Sequence, residues 1–192
     1  AGAFIFEIAR SEIGYTEQRP HEYAAILFAA ALREGFTGAL FIQGDHVQTN
    51  AKKYNSPERD KELDILRALI KEEIAAGFYN IDVDTSTLVD LSKATLAEQQ
   101  RRNYEECADI SLALRALEPK GVTISVGGES GEVGTSNSTV EELEAFMDGY
   151  NDTVRARAAG MAGLSKISVQ SGTSHGGVVL AGVKAGALWV AF

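Results

Sequence analysis

The sequence predicts an α/β protein built around a parallel sheet of the β/α-barrel kind. Short runs of β-branched and aromatic residues alternate with longer segments of helical period, which is typical of successive β/α units. Ionisable side chains also recur just after several of these short runs, as they do on the face of a barrel that carries its active site. The alternation by itself is equally compatible with an open doubly wound sheet.

Six segments are predicted as strands, because each is nearly continuous in apolar residues and so fits a strand covered on both faces. They are residues 4–8, 39–43, 78–83, 122–126, 167–170 and 187–192. A complete parallel (β/α) TIM-type barrel usually needs about 250 residues and at least about 200. The chain has 192 residues, so we predict a TIM-type barrel that is incomplete.

Helices are predicted between these strands from their periodicity and their start and stop signals. They are residues 21–33, residues 58–76, and two segments that begin at the capping boxes Thr95 with Glu98 and Ser138 with Glu141. The apolar stripes of these helices are expected to pack in one hydrophobic core. We therefore predict a single domain over residues 1–192.

Composition narrows the classes of partner and compartment. The formal net charge is −9 and basic residues cluster only in pairs, so neither nucleic acid nor an anionic membrane is expected as a partner. A single cysteine, Cys107, and the absence of a leader or a long apolar segment favour the cytoplasm. The exposed sheet edges of an incomplete barrel would need covering, which makes a homodimer the expected assembly.

Potential metal ligands and proton carriers lie at the downstream ends of four consecutive predicted strands. They are Asp45 and His46, Asp82 and Asp84, Glu129, and His175. Taken singly, the aspartates are also explained as turn or helix caps, and the histidines as surface or core residues. Only a barrel brings all four strand ends together on one face. Two imidazoles with carboxylates nearby suit Zn²⁺, which would act as a Lewis acid towards a substrate oxygen.

Four segments in register resemble the strand-end motifs of class II fructose-bisphosphate and tagatose-bisphosphate aldolases. They are residues 41–46 (FIQGDH), 80–84 (NIDVD), 126–134 (VGGESGEVG) and 172–176 (GTSHG), and the resemblance covers roughly residues 4 to 180. No single motif is specific, but their order and spacing agree with that family.

The resemblance implies a role for each matched residue. Asp45 would carry the catalytic proton, and His46 and His175 would bind zinc. Asp82 and Glu129 would serve an alternative or second metal position, and the backbone of Gly176 and Gly177 would hold a substrate phosphate. It thus implies a cytoplasmic zinc-dependent lyase of carbohydrate metabolism and glycolysis. This enzyme would cleave a ketose 1,6-bisphosphate to dihydroxyacetone phosphate and an aldehyde phosphate.

Two departures from the family keep other functions open. The family carries a further zinc-binding histidine downstream, whereas no histidine follows Gly177, and the family's first strand would lie before residue 1. A non-catalytic barrel subunit, or a relative that binds a sugar phosphate without turning it over, is therefore the alternative. Another metal-dependent barrel enzyme, such as an isomerase or a hydrolase, has the same kind of ligands.

Overall fold

The computed structural model describes residues 2–131 and 137–170, together with the backbone of residues 173–174 and 178–179. The strands are β1 (Ala3–Ala9), β2 (Ala39–Asp45), β3 (Asn80–Val83), β4 (Ser125–Glu129), β5 (Lys166–Ser168), β6 (Thr173–Ser174) and β7 (Val178–Val179). The helices are α1 (Arg10–Thr16), α2 (Pro20–Arg33), α3 (Ala51–Tyr54), α4 (Arg59–Ala75), α5 (Leu96–Arg115) and α6 (Val140–Arg157). A short 3₁₀ turn, Ser86–Leu88, follows β3.

Strands β1 to β5 form one parallel sheet, in which each strand pairs with its neighbours in the sequence. This confirms the predicted α/β class and the parallel sheet. The predicted incomplete TIM-type barrel is not shown, because the described sheet is open and β1 and β5 lie at its opposite edges. Strands β6 and β7 form a separate antiparallel pair. The predicted strand 187–192 lies outside the described residues.

The two faces of the sheet differ in chemistry. Apolar residues of β3 and β4 such as Ile81 and Val126 pack in a core with α4, α5 and α6, and Ile8 and Ile42 pack with α2 and α4. Successive residues of a strand point to opposite faces. The strand register therefore places a second, polar set of side chains on the face turned away from those helices. We call it the polar face; it includes Glu7, Gln43, Asp45, Asp82, Glu129 and Lys166.

Strand β4 is displaced from its predicted position towards the C-terminus. Residues 127–129, which follow the predicted strand 122–126, belong to the strand and pair with β5. A Cβ atom at Gly128 would lie 2.9 Å from Leu164 Cδ1 and 3.3 Å from Phe146 Cζ. The lack of a side chain at Gly128 thus allows Leu164 and Phe146 to pack closely against the strand. The residues next to Gly128 in the sequence do not indicate this packing.

The helix starts agree with the capping signals, with one shift. Thr95 Oγ1 accepts a hydrogen bond from the Glu98 N–H, as predicted. In the second capping box the pair is Thr139 and Glu142 rather than Ser138 and Glu141, because the Thr139 hydroxyl accepts from the Glu142 N–H at 3.1 Å. Both readings of the sequence satisfy the same spacing, so only the backbone could decide between them.

The described helices include none that is both long and apolar enough to cross a bilayer.

Strand β1 lies at an edge of the sheet, and its apolar side chain Ile5 is 60% exposed there. The expected homodimer stays a prediction.

Candidate metal site at the ends of β2, β3 and β4

Three side chains at the carboxyl ends of neighbouring strands bring potential ligand atoms together. His46 Nδ1 lies 3.2 Å from Asp84 Oδ2 and 3.5 Å from Glu129 Oε1. One ligand atom from each of the three residues lies within 4.8 Å of the other two. Two ligand atoms that each lie about 2.1 Å from one cation are about 3 to 4 Å from each other. The three atoms of the cluster therefore fit around a single divalent ion.

The chain after β2 holds His46 against β3. The Val47 N–H donates to the Asp82 carbonyl and the Thr49 N–H donates to the Asp84 carbonyl, both at 2.9 Å. Between these anchors and the end of β2, His46 adopts a left-handed backbone with φ of 40°. This conformation is unfavourable for a residue with a Cβ atom and is concentrated at functional sites.

Hydrogen bonds from Ser86 and Gln48 fix the orientation of the Asp84 side chain. Its Oδ1 accepts from the Ser86 N–H at 3.1 Å and from the Ser86 hydroxyl at 2.7 Å, and its Oδ2 accepts from the Gln48 amide. Burial favours the neutral acid, but the hydrogen bonds from His46, Ser86 and Gln48 outweigh it and lower the pKa of Asp84. Asp84 is therefore held as a carboxylate.

Helix α5 supports the site from behind through Asn103, which is fully buried. Its side-chain amide donates to the Glu129 carbonyl at 2.9 Å, and its Oδ1 accepts from the Thr85 hydroxyl at 2.6 Å. One side chain thus joins the end of β4 to the residue that follows Asp84. Such supporting hydrogen bonds orient the residues that would contact a metal directly.

The site concentrates negative charge in a buried place. Burial, reinforced by the charges of Asp84 and Asp82, raises the pKa of Glu129. The hydrogen bond to Asp84 and the surrounding carboxylates raise the pKa of His46. A bound cation would relieve the repulsion between these carboxylates and would favour their ionised forms.

The structure brings together only part of the predicted set. His46 and Glu129 belong to the three-residue cluster, whereas the third member is Asp84 rather than Asp82. Asp82 points over β4, where a Cβ atom at Gly127 would lie 2.5 Å from its Oδ1. His175, Gly176 and Gly177 lie outside the described residues.

Asp45 borders the cluster without joining it. Its side chain is 22% exposed and its Oδ2 lies 3.7 Å from His46 Nε2. Both residues line an open cleft of about 1060 Å³ at the carboxyl ends of β1 and β2. Arg10 lines the same cleft and forms a 2.6 Å ion pair with the buried Glu62.

Sequence reasoning missed several residues that build the site: Gln48, Thr85, Ser86, Asn103 and Lys166. Asn103 carried a usable signal, because it lies four residues before Cys107 and so falls on the buried stripe of α5. A polar residue on such a stripe requires a hydrogen-bond partner. The other four carried no comparable pattern.

Comparisons with known proteins give a fold and no family. No model of a known protein family matches the chain. Over 118 residues it is 28% identical to the small ribosomal subunit protein bS1 of a Synechococcus strain, a match covering 62% of this chain and 34% of that protein. This identity does not show a family, and the expectation that nucleic acid is no partner stays a prediction.

The crystal structure of a probable tagatose 6 phosphate kinase from Sinorhizobium meliloti 1021 has a similar fold. The TM-score is 0.62 and the sequence identity is 17%, and the similarity covers 92% of this chain and 46% of that one. The chain therefore spans about a third of the ribosomal protein and less than half of the kinase. The predicted zinc-dependent aldolase, with its lyase class and its glycolytic role, is wrong, because a solved structure with a similar fold is that of a probable tagatose 6 phosphate kinase.

Proposed function

We propose that the chain binds a divalent cation on His46, Asp84 and Glu129 and uses this site to bind a phosphorylated sugar for phosphoryl transfer. The observation that carries the proposal is the convergence of one imidazole and two buried carboxylates at adjacent strand ends, beside an open cleft. In parallel α/β sheets, ligands bind outside the carboxyl ends of the strands.

The set of donors favours a hard or borderline ion. Two carboxylates and one imidazole suit Mg²⁺ or Mn²⁺ at least as well as Zn²⁺, which prefers sites richer in nitrogen or sulfur. Such an ion, when bound, neutralises phosphate oxygens and the charge that develops on a transferring phosphoryl group. Which ion occupies the site in the cell stays a prediction.

The choice of substrate class has two supports. The protein with a similar fold is named for a kinase of tagatose 6-phosphate, a phosphorylated sugar. In addition, the cleft beside the cluster has a volume of about 1060 Å³, which is large enough for a sugar phosphate.

Asp45 is the proton carrier in this proposal. Its carboxylate lines the cleft next to His46, within reach of a sugar hydroxyl bound there. As the hydroxyl oxygen attacks the terminal phosphorus of a nucleoside triphosphate, its proton passes to Asp45 and the bond to the leaving diphosphate breaks. The products are a sugar bisphosphate and a nucleoside diphosphate.

The first experiment is a Mn²⁺ titration followed by electron paramagnetic resonance, on the wild-type chain, Asp84→Asn and Asp82→Asn. We expect about one tightly bound ion in the wild type and a loss of affinity of roughly 10- to 100-fold in Asp84→Asn. Asp82→Asn is the matched control, since it changes a buried aspartate two residues away and should retain binding. Equal affinity in all three proteins would reject the metal site.

The second experiment tests the reaction. The Mg²⁺-loaded protein is incubated with ATP and tagatose 6-phosphate, and ³¹P nuclear magnetic resonance follows the appearance of ADP and a sugar bisphosphate. Product that forms in the wild type and not in Asp45→Asn would support the assignment. Metal and sugar phosphate that bind without product would leave a binding function and reject phosphoryl transfer.

A further inference from the structure

Lys166 extends across the polar face of the sheet from one edge towards the other. It is the first residue of β5, yet its ammonium group donates a hydrogen bond to Gln43 Oε1 on β2, 123 positions away in the sequence. Strands β3 and β4 lie between these two residues. The side chains of Lys166 and Gln43 together therefore span β3 and β4.

Gly127 makes this crossing possible. It pairs in register with Lys166 on one side and with Asp82 on the other. A Cβ atom at Gly127 would lie 3.1 Å from Lys166 Cε and 2.5 Å from Asp82 Oδ1, so any larger residue would occupy the path of the lysine. This glycine is explained by the close approach of two polar side chains rather than by its backbone angles.

Gln43 is already committed to other partners. Its Nε2 donates to Glu7 Oε2 at 3.2 Å and to Asp45 Oδ1 at 3.1 Å, while its Oε1 accepts from Lys166. An ammonium group has three donors, and Gln43 accepts the single hydrogen bond that Lys166 makes within the described residues. Two donors of a half-buried amine are thus left for a ligand or for water.

The surrounding charges indicate what kind of ligand fits. Asp82, Asp45 and Glu7 act electrostatically on Lys166, and burial lowers the pKa of its amine. Three carboxylates around one amine disfavour a phosphate dianion there. A hydroxyl group suits such a place, since it accepts from the ammonium and donates to a carboxylate.

We propose that Lys166, held over Gly127 beside Gln43 and Asp45, is a substrate-binding residue that receives the hydroxyl groups of the sugar. The inference rests on the proposed function and adds the part of the substrate that this face would bind. The phosphate of the same ligand would lie towards the cation cluster, away from Lys166.

The test measures three dissociation constants by calorimetry on the wild type, Lys166→Met and Lys120→Met. The ligands are Mn²⁺ alone, tagatose 6-phosphate with Mn²⁺, and inorganic phosphate with Mn²⁺. We expect Lys166→Met to bind tagatose 6-phosphate roughly 10- to 100-fold more weakly, as for the loss of a charged hydrogen bond. The constants for Mn²⁺ and phosphate should change little. Lys120, an exposed lysine in the turn before β4, is the control and should change nothing.

A wild type that binds neither Mn²⁺ nor tagatose 6-phosphate would overturn the proposed function itself. If the wild type binds both and Lys166→Met retains the sugar phosphate, or loses it in the same proportion as phosphate, the inference about Lys166 is overturned. A second measurement needs no variant: reductive methylation of the wild type, read by peptide mass spectrometry. Tagatose 6-phosphate should protect Lys166 and leave Lys120 reactive, and equal labelling of Lys166 with and without the sugar would contradict the inference.

Discussion

His46 Nδ1 lies 3.2 Å from Asp84 Oδ2, although 38 positions of sequence separate the two residues. Without a cation the contact is a charge-assisted hydrogen bond that stabilises the protonated imidazole. At the proposed cation site both atoms would be ligands instead, so a proton and a divalent ion would compete for the same atom of His46.

The binding of the proton to His46 can be measured in the absence of any metal ion. The hydrogen bond to Asp84 is the main reason why the pKa of His46 is raised from 6.5 to about 9. We expect Asp84→Asn to lower this pKa by more than one unit, because it removes the charged acceptor. Nuclear magnetic resonance titration of the imidazole in metal-free protein measures it, with the exposed Asp64→Asn as control. An unchanged pKa in Asp84→Asn would mean that the contact is absent in solution.

The cation side predicts the direction of the pH dependence. Since a ligating imidazole must be deprotonated, Mn²⁺ binding below the pKa of His46 must displace a proton. The apparent affinity should rise by about tenfold for each pH unit for each proton displaced between pH 6.5 and 8.5. Calorimetry in buffers of different ionisation enthalpy counts the protons: about one should leave from His46 for each bound ion, and a second from Glu129 below its raised pKa of about 8. Affinity that falls as pH rises would exclude His46 as a ligand.

The alternation of strands and helices could be predicted because periodicity and capping are local. The edges of elements were less predictable. Gly127 and Gly128 lie beyond the predicted strand, yet both belong to β4. Because they have no side chains, Lys166 and Asp82 approach the strand on one face, and Leu164 and Phe146 approach it on the other. Those contacts depend on residues distant in the sequence.

The sequence predicted the position of the candidate site, at the carboxyl ends of the strands, better than it predicted which residues form the site. Strand ends in a parallel sheet meet, so His46 and Glu129 could be brought together by topology alone. Alternation of faces does not separate Asp82 from Asp84, because residues two apart point to the same side of a strand. Asp84 differs from Asp82 in lying one residue beyond the end of β3, and its place there depends on a contact with a distant residue. The chain continues along β3 beyond Val83, through the hydrogen bond from the Thr49 N–H to the Asp84 carbonyl.

Glu73 on α4 is a buried acid that the proposed site does not use. It is fully buried, neither of its carboxyl oxygens has a hydrogen-bond partner among the described residues, and it packs against Gly44. Burial raises its pKa from 4.5 to about 8. The folded chain thus binds a proton that the unfolded chain has already lost across this interval, and stability is lost as pH rises.

Glu73→Gln should therefore flatten the dependence of stability on pH. In the wild type the contribution of Glu73 should fall by up to about 1.4 kcal/mol for each pH unit between 4.5 and 8. Urea unfolding of both proteins at pH 5, 6.5 and 8 measures the difference, with the exposed Glu34→Gln as control. If the two stability curves run parallel, Glu73 is ionised in the folded chain.

Gly127→Ala tests the close approach beneath Lys166. The new Cβ atom would lie 2.5 Å from Asp82 Oδ1, so the side chains must shift, and we expect a destabilisation of about 1–3 kcal/mol. Gly14→Ala is the control, because nothing lies within 4 Å of that position in α1. The control should stabilise by up to about 1 kcal/mol, as expected for a helix interior. Equal unfolding midpoints in urea for Gly127→Ala and the wild type would show that Lys166 takes another path.

The pair of Arg10 and Glu62 anchors the wall of the cleft. Glu62 Oε1 accepts from Arg10 and from the Asn50 N–H at 3.1 Å, and these hydrogen bonds lower the pKa of Glu62 despite its burial. The stabilisation that ionised Glu62 contributes is therefore present at neutral pH and is lost as pH falls through the folded pKa.

Glu62→Gln should lower the free energy of unfolding in urea by about 3 kcal/mol at pH 7, because it leaves Arg10 without its charged partner. The exposed pair of Arg67 and Asp64 gives the comparison, since Asp64→Asn should cost less than about 1 kcal/mol. The difference between the two variants should shrink at pH 4, and a cost for Glu62→Gln that is the same at both pH values would show that the ionised pair does not stabilise the fold.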